Sequence, residues 1–367
     1  MPLRALTGAL AGCILVVNGE INETRIDVTL HECLAKVRDG VSLTEDEAAN
    51  CLRSILNGAV GDEPVAALLV ALAEKGETAD EIAGFCRVLL ENRIPVDLDS
   101  DCIDVCGTGG SGLSRFNVST AVAFILAADG VPVAKHGNRG SRRPNGSFDL
   151  LDALDCPFEF RSDRISELFE RTGLCFIYAR AYHPLMKAVA GARKLANRRT
   201  IFNMAAPLCN PAEPAFQVVG TPTIDNARVL AEVLQRLDRR KCLVVTGAPG
   251  VDEVSVSGPT DILDVTPDTV QVGSLLPSEL GIVPCDYGSI PGGDADVNAG
   301  LFLALIAGEG PQAILEMVCA SGGVAMHCQG SVDSIRSGYQ RCRDLLAQGT
   351  VAAKFHEFRS ACQSLQL

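Results

Sequence analysis

Between Asp104 and Asp149 the chain reads DVCGTGGSGLSRFNVSTAVAFILAADGVPVAKHGNRGSRRPNGSFD, a stretch crowded with residues able to hold an anion. Gly107, Gly109, Gly110 and Gly112 follow the apolar pair Ile103 and Val105. Without a Cβ they let backbone N–H groups close around a phosphate. Asn117, Ser119 and Thr120 then open an apolar helical run. Its first amides lack helical partners and its dipole is positive at that end, which favours an anionic group. A second strand, VPVAK, delivers Lys135, His136, Asn138, Arg139, Arg142 and Arg143 to the same edge. Two anion-binding devices therefore converge, although a GTGG turn alone serves equally well as a tight bend. The spacing meets neither GxGxxG nor GxxxxGK[ST], so the dinucleotide and Walker fingerprints are absent.

GTGG followed by FNVST and then KHGNR resembles the anthranilate phosphoribosyltransferase family. YHPLMKAVAGARK (Tyr182 to Lys194), RTIFNMAAPLCNPA (Arg199 to Ala212) and GVDEVS (Gly250 to Ser255) follow in the family's order, and the likeness runs from roughly Leu30 to near the C-terminus. The resemblance implies displacement of pyrophosphate from phosphoribosyl pyrophosphate by the amine of anthranilate, in tryptophan biosynthesis. It further implies contacts to phosphoribosyl pyrophosphate from Gly107, Gly110, Ser111, Arg115, Asn117, Val118, Ser119, Thr120, Lys135, Arg139, Arg143 and Ser147. Anthranilate falls to Gly107, Asn138 and Arg193, and magnesium to Ser119, Asp252 and Glu253. A helical domain carrying a homodimer contact and a cytoplasmic location are implied as well.

Each residue type suits its role. The sugar passes through a cation as pyrophosphate leaves, so neutralising the leaving group and positioning the amine suffice; no covalent nucleophile is needed. Hard carboxylate oxygens at Asp252 and Glu253 suit magnesium, or form a solvated acidic turn. Arg193 offers a planar bidentate donor to a carboxylate, or is one more charge on a helix. His136 is the one candidate catalytic side chain. Because the amine is already a free nucleophile, a base is optional, and His136 either assists or shapes the pocket.

The chain departs from the family in four places. Ser111 stands where an aspartate is usual, Arg115 replaces a threonine, Gly140 to Arg143 replace small residues and two serines, and MAAPLCNP replaces LLGPLTNP. These leave open a transferase for another aromatic acid, or a paralogue that binds without turnover. A nucleoside phosphorylase of similar architecture is less compatible, because its lysine-serine-arginine phosphate motif is absent.

The elements that must position these groups follow from pattern. From Thr29 to Arg93 the spacing is helical, with capping boxes at Thr44-x-x-Glu47 and Thr78-x-x-Glu81 and a further helix start at Asp62 and Pro64. After Pro95, strands at Cys175 to Ala179, Ala215 to Gly220 and Lys241 to Ala248 alternate with helices such as Ile224 to Leu237; Asp294 to Ile306 and Ser331 to Cys362 are again helical. That order predicts an α/β fold with a mostly parallel sheet flanked by helices over 96–367; the helices of residues 29–95 either buttress that sheet or form a small helical domain, joined by parts of 180–210, as the resemblance implies. Ligands of such sheets bind beyond the carboxyl ends of the strands.

Composition bounds the rest. With 367 residues, 47% hydrophobic, the chain can bury one large core and a smaller one. A net charge of −13 excludes a general nucleic-acid or membrane-surface binder, so cations for anionic substrates must be local. The 15 cysteines include no CxxC pair, which predicts a reduced cytosol, and none of the five histidines sits at zinc-ligand spacing from a cysteine pair. Residues 1–28 read as an extension. LAGC within it resembles a lipoprotein box, but the apolar run is too short to span a membrane.

Overall fold

The computed structural model describes residues 23–58, 60–98, 101–109, 116–140 and 143–366, with side chains from residue 30 onward. The LAGC segment and the expected site residues Gly110, Ser111 and Arg115 lie outside the described residues, as does Arg142.

Four helices, Glu23–Arg38, Glu45–Leu56, Asp62–Lys75 and Ala79–Glu91, open the chain. The first starts at Glu23, upstream of the pattern read from Thr29. Thr44 and Thr78 form complete capping boxes with Glu47 and Glu81, each worth about 1 kcal/mol against alanine. Glu81 is fully buried. It is tolerated because it accepts the Leu43 and Thr78 amides and pairs with Lys75 at 3.0 Å. Later segments, Pro184–Val189, Ala190–Ala196 and Ile201–Ala205, add Val189, Ala192, Phe202 and Met204 to the core formed by Leu52, Leu69 and Phe85. The same core reaches one face of the sheet through Leu230 and Ala231 of helix Ile224–Leu234 and through Val219 and Val244.

The sheet has seven strands: β1 (Ile103–Gly107), β2 (Val133–Gly137), β3 (Leu174–Tyr178), β4 (Phe216–Gly220), β5 (Lys241–Gly247), β6 (Thr260–Val265) and β7 (Val270–Leu275). Their order is β3-β2-β1-β4-β5-β6-β7. The first five are parallel and the last two antiparallel. Its other face is covered by helices Val118–Ala128, Gln312–Gln329 and Thr350–Gln366. Phe124 is the hub there, with ring centroids 5.3 to 5.6 Å from Phe176, Phe302, Phe355 and Phe358. The α/β architecture with a helical unit agrees with the pattern reading. The β6–β7 hairpin and helix Gln312–Gln329 carry no clear pattern. Val270 to Ser274 are exposed, so β7 lacks a buried alternation, and the long helix is buried nearly all round, so it lacks a polar face.

The chain runs outward from β1 through β2 to β3 and then returns to β4 on β1's other flank. The crevice beyond the carboxyl ends of β1 and β4 is therefore the topological switch point, where open α/β sheets bind ligands.

Candidate functional site

At that switch point Gly107 and Gly220 end their strands in register with one another. The turn after β5 folds back onto both. A Cβ on Gly107 would stand 2.5 Å from Asp252 Oδ2, and one on Gly220 would overlap the Asp252 backbone. Only glycine permits this approach. Asp252 is buried and its Oδ2 accepts the Gly109 amide at 2.7 Å. The Arg199 guanidinium holds the same loop by donating to the Gly109 carbonyl at 2.6 Å and the Thr108 carbonyl at 3.3 Å.

Helix Val118–Ala128 points its N-terminus into this crevice. Asn117 at its start does not cap it with its side chain. Its amide donates instead to the Asn145 carbonyl at 2.9 Å and its oxygen accepts from Asn298 at 2.8 Å. Val118 and Thr120 donate to the Phe116 and Asn117 carbonyls at 3.0 and 3.1 Å, and with no side-chain cap the positive end of the helix dipole is left to favour an anion. Val118, Ser119, Asp252 and Glu253 line one cavity of about 30 Å3 together with Cys106, Gly220 and Ser321. The Thr120 and Ser321 hydroxyls are buried and have no hydrogen-bond partner among the described residues. Among the described residues no three His, Cys, Asp or Glu side chains cluster as a metal cage. The hard oxygens of Ser119, Asp252 and Glu253 fit magnesium in its other mode, in which it borrows ligands from a substrate phosphate and water.

The second loop runs from Gly137 into helix Ser147–Ala153. Asp149 braces it, accepting the Gly140 amide at 2.7 Å, the Gly146 amide at 2.9 Å and Arg139 at 3.1 Å. Arg139 also pairs with Asp152 and lies over the Phe158 ring, so its charge is spent on the loop itself. Asn138 and Arg143 are exposed, and the Ser147 hydroxyl reaches the Asn138 carbonyl at 3.4 Å.

Lys135 and His136 are buried beneath that loop. Lys135 donates to the Val105 carbonyl at 2.6 Å. The structure therefore turns its ammonium toward β1 and does not place it in the cavity lining. The His136 ring packs 5.4 Å from His183, and its Nε2 has no partner among the described residues. Burial, then His183 and Lys135, hold its pKa well below the usual range, so the ring is neutral.

Arg193 sits on helix Ala190–Ala196 with its guanidinium 5.4 Å over the Phe202 ring. Burial and the nearby Arg180 lower its pKa. No carboxylate pairs with it among the described residues, and no hydrogen bond links it to the glycine loop. It is a stacked, half-buried cation suited to a planar acid.

The structure thus unites Gly107, Val118, Ser119, Thr120, Asp252 and Glu253, and leaves Lys135, Arg139 and Arg193 on other partners. Arg199, Asp104 and Ser321 are the additions. Only Arg199 carries any sequence signal, as one of the cations Arg193, Lys194, Arg198 and Arg199 in a short basic stretch.

Residues 31–92 match the helical bundle domain of a glycosyl transferase family, and residues 99–352 match its a/b domain. An anthranilate phosphoribosyltransferase of Geobacillus thermodenitrificans is 35% identical over 331 residues, 90% of this chain and 98% of that protein. One of Sphingopyxis alaskensis is 38% identical over 311 residues, covering 85% and 93%. The crystal structure of the Thermus thermophilus anthranilate phosphoribosyltransferase superposes with a TM-score of 0.83 at 33% identity, covering 90% of this chain and 99% of that one. The Saccharomyces cerevisiae enzyme, solved in complex with PRPP and Mg, shares the fold with a TM-score of 0.84 at 23% identity, covering 92% and 99%.

Proposed function

The chain belongs to the anthranilate phosphoribosyltransferase family, and on that premise we propose how its residues transfer the phosphoribosyl group of phosphoribosyl pyrophosphate to the amine of anthranilate, in tryptophan biosynthesis. One observation carries the reading. The Asp252 turn closes on Gly107 and Gly220 beside the open N-terminus of helix Val118–Ala128, at the switch point of the sheet. The amides of the glycine loop and of that helix hold the pyrophosphate, with Ser119 and Thr120 adding hydroxyls. Asn117 fixes the helix start, while Asn138, Arg143 and Ser147 meet the substrate from the second loop. Arg139 acts through the loop that it braces. Lys135, held on the Val105 carbonyl beneath the second loop, contributes its positive charge to the phosphate site.

Magnesium would be held by Ser119, Asp252 and Glu253, where it would neutralise the leaving pyrophosphate. Arg193 takes the anthranilate carboxylate, and the neutral His136 shapes the acceptor pocket. Developing negative charge on the leaving group meets preset dipoles, which lowers the barrier without a covalent intermediate. We assign residues 29–95 with parts of 180–210 to a helical domain, 96–367 to the transfer domain, and the protein to a homodimer in the cytoplasm. Among the described residues no helix is long and apolar enough to cross a membrane.

The test is consumption of anthranilate fluorescence by the purified protein, with phosphoribosyl pyrophosphate and magnesium omitted in turn. Loss of signal only in the complete mixture is the expected result. Binding of phosphoribosyl pyrophosphate without turnover would point to another aromatic acid or a non-catalytic paralogue. Arg193→Ala should raise the KM for anthranilate at least about tenfold and leave that for phosphoribosyl pyrophosphate nearly unchanged.

A further inference from the structure

β1 pairs with β4 at every residue from Ile103↔Phe216 to Gly107↔Gly220. On its other side the register with β2 holds only at Ile103↔Val133. β2 itself is regular, since it pairs with β3 over its whole length. Where the β1–β2 ladder stops, side chains take its place. The Val105 carbonyl accepts the Lys135 ammonium at 2.6 Å. The His136 amide donates to Asp104 Oδ1 at 3.2 Å rather than to a β1 carbonyl. The Ala134 carbonyl accepts Asn210 Nδ2 at 2.8 Å, and that same amide donates to Asp104 Oδ2 at 3.0 Å. Gln217 Nε2 adds a bond to Asp104 Oδ2 at 3.2 Å.

A fully buried carboxylate at the centre of such a network is costly unless every lone pair is used, and removing it leaves its donors stranded. We propose that Asp104 is a positioning residue for phosphoribosyl transfer: with Lys135 it stands in for the missing β1–β2 ladder, holds the two strands apart at their carboxyl ends, and keeps Lys135 and the second loop in place for phosphoribosyl pyrophosphate. The proposal rests on the functional reading above.

Charge supports the geometry. Burial lowers the Lys135 pKa, and Asp104 is the main group opposing that fall. Cys106 also faces Lys135 from β1. Burial keeps Cys106, Cys102 and Cys175 protonated. Burial lowers the pKa of His136 and His183. Burial raises that of Asp104, while Lys135, the bonds from Asn210 and the His136 amide, and Arg239 act to lower it. Removing the Asp104 charge therefore lets Lys135 lose its proton at a lower pH.

Asp104→Asn preserves size and an acceptor for the His136 amide while deleting the charge. In the magnesium-loaded enzyme its KM for phosphoribosyl pyrophosphate should stay within about threefold of wild type at pH 6.5 and rise about tenfold or more by pH 8.5, with kcat moving less. A KM that tracks wild type across this range would overturn the proposal. If the Asn variant does not fold, Asp104→Glu carries the test, because it keeps the charge and displaces it by one methylene. That variant should raise the KM about tenfold at every pH with a wild-type alkaline limb; a folded Glu variant with unaltered kinetics would overturn the proposal. A wild-type protein that binds phosphoribosyl pyrophosphate without turnover would defeat the functional reading, yet the same comparison would remain readable in dissociation constants measured by calorimetry. A wild-type protein that binds none would defeat both.

Discussion

The two glycine loops at the carboxyl edge of the sheet are each braced by one acid and one arginine, but the braces come from different distances along the chain. In the second loop Asp149 and Arg139 belong to the loop and to the helix it enters, so the brace forms wherever that segment folds. In the first loop Asp252 lies 143 residues from Gly109 and Arg199 lies 90 residues away. Thr108 and Gly109 are held in this way only when the turn after β5 and the segment following helix Ala190–Ala196 are both docked. A locally braced loop is a preformed receptor; a remotely braced one couples anion binding to assembly of the whole molecule.

The largest effect expected from this contrast is at Gly220. Gly220→Ala would drive a Cβ into the Asp252 backbone, and relief by moving a turn should cost about 3 kcal/mol or more of stability together with affinity for phosphoribosyl pyrophosphate. A melting temperature equal to wild type would break the claim that the turn docks on the strand end. Next comes a paired exchange. Asp149→Asn should remove about 2 kcal/mol of stability and speed amide exchange at Gly140 and Gly146, since it weakens charge-assisted bonds to both. Arg199→Ala should instead raise the KM for phosphoribosyl pyrophosphate about tenfold with a smaller thermal shift, because it frees a substrate loop rather than a fold element. Equal profiles for the two variants would erase the distinction between the loops.

The smallest effect is one of pH. Burial lowers the pKa of both His136 and His183 in the folded protein. Below the unfolded value of about 6.5 the unfolded chain binds protons that the folded one refuses, so stability falls with falling pH, by at most about 1.4 kcal/mol per pH unit for each ring. Urea unfolding at pH 7.5 and 5.5 measures this. His136→Asn should flatten the slope, which would tie it to the strand feeding the second loop; an unchanged slope would assign it elsewhere.

What could be read from the sequence divides along the same line. Both capping boxes, the glycine turn and the helix start at Asn117 are signals contained within a few residues, and pattern alone located them; the acidic pair at Asp252 and Glu253 reads equally as a solvated turn, and only the family resemblance marks it as a site. Glu81 shows the limit. Its capping role was legible, whereas its bonds to Leu43 and Lys75 depend on how helices pack. Arg139 and Lys135 were read as substrate cations from their position in KHGNR, yet one braces its own loop and the other bridges to β1. Spacing shows which cations lie near a phosphate loop, but not which of them are already committed to a neighbour. Asp104 gave no signal at all, because a single acid inside an apolar strand has no periodicity to betray it.

The cysteines carry one more consequence. All those described are buried except Cys106 and Cys285, which are half-buried. Burial pushes Cys102, Cys156, Cys242 and Cys319 up to about 12. In those four, thiolate, the form that attacks electrophiles, is then almost absent at neutral pH while the chain stays closed; Cys33, lowered by its hydrogen bond with Cys51, runs the other way. The protein carries its own stopwatch for opening: the order in which Cys51 of the helical unit and Cys175 and Cys242 of the sheet take up an alkylating reagent would reveal which half loosens first, with no label introduced.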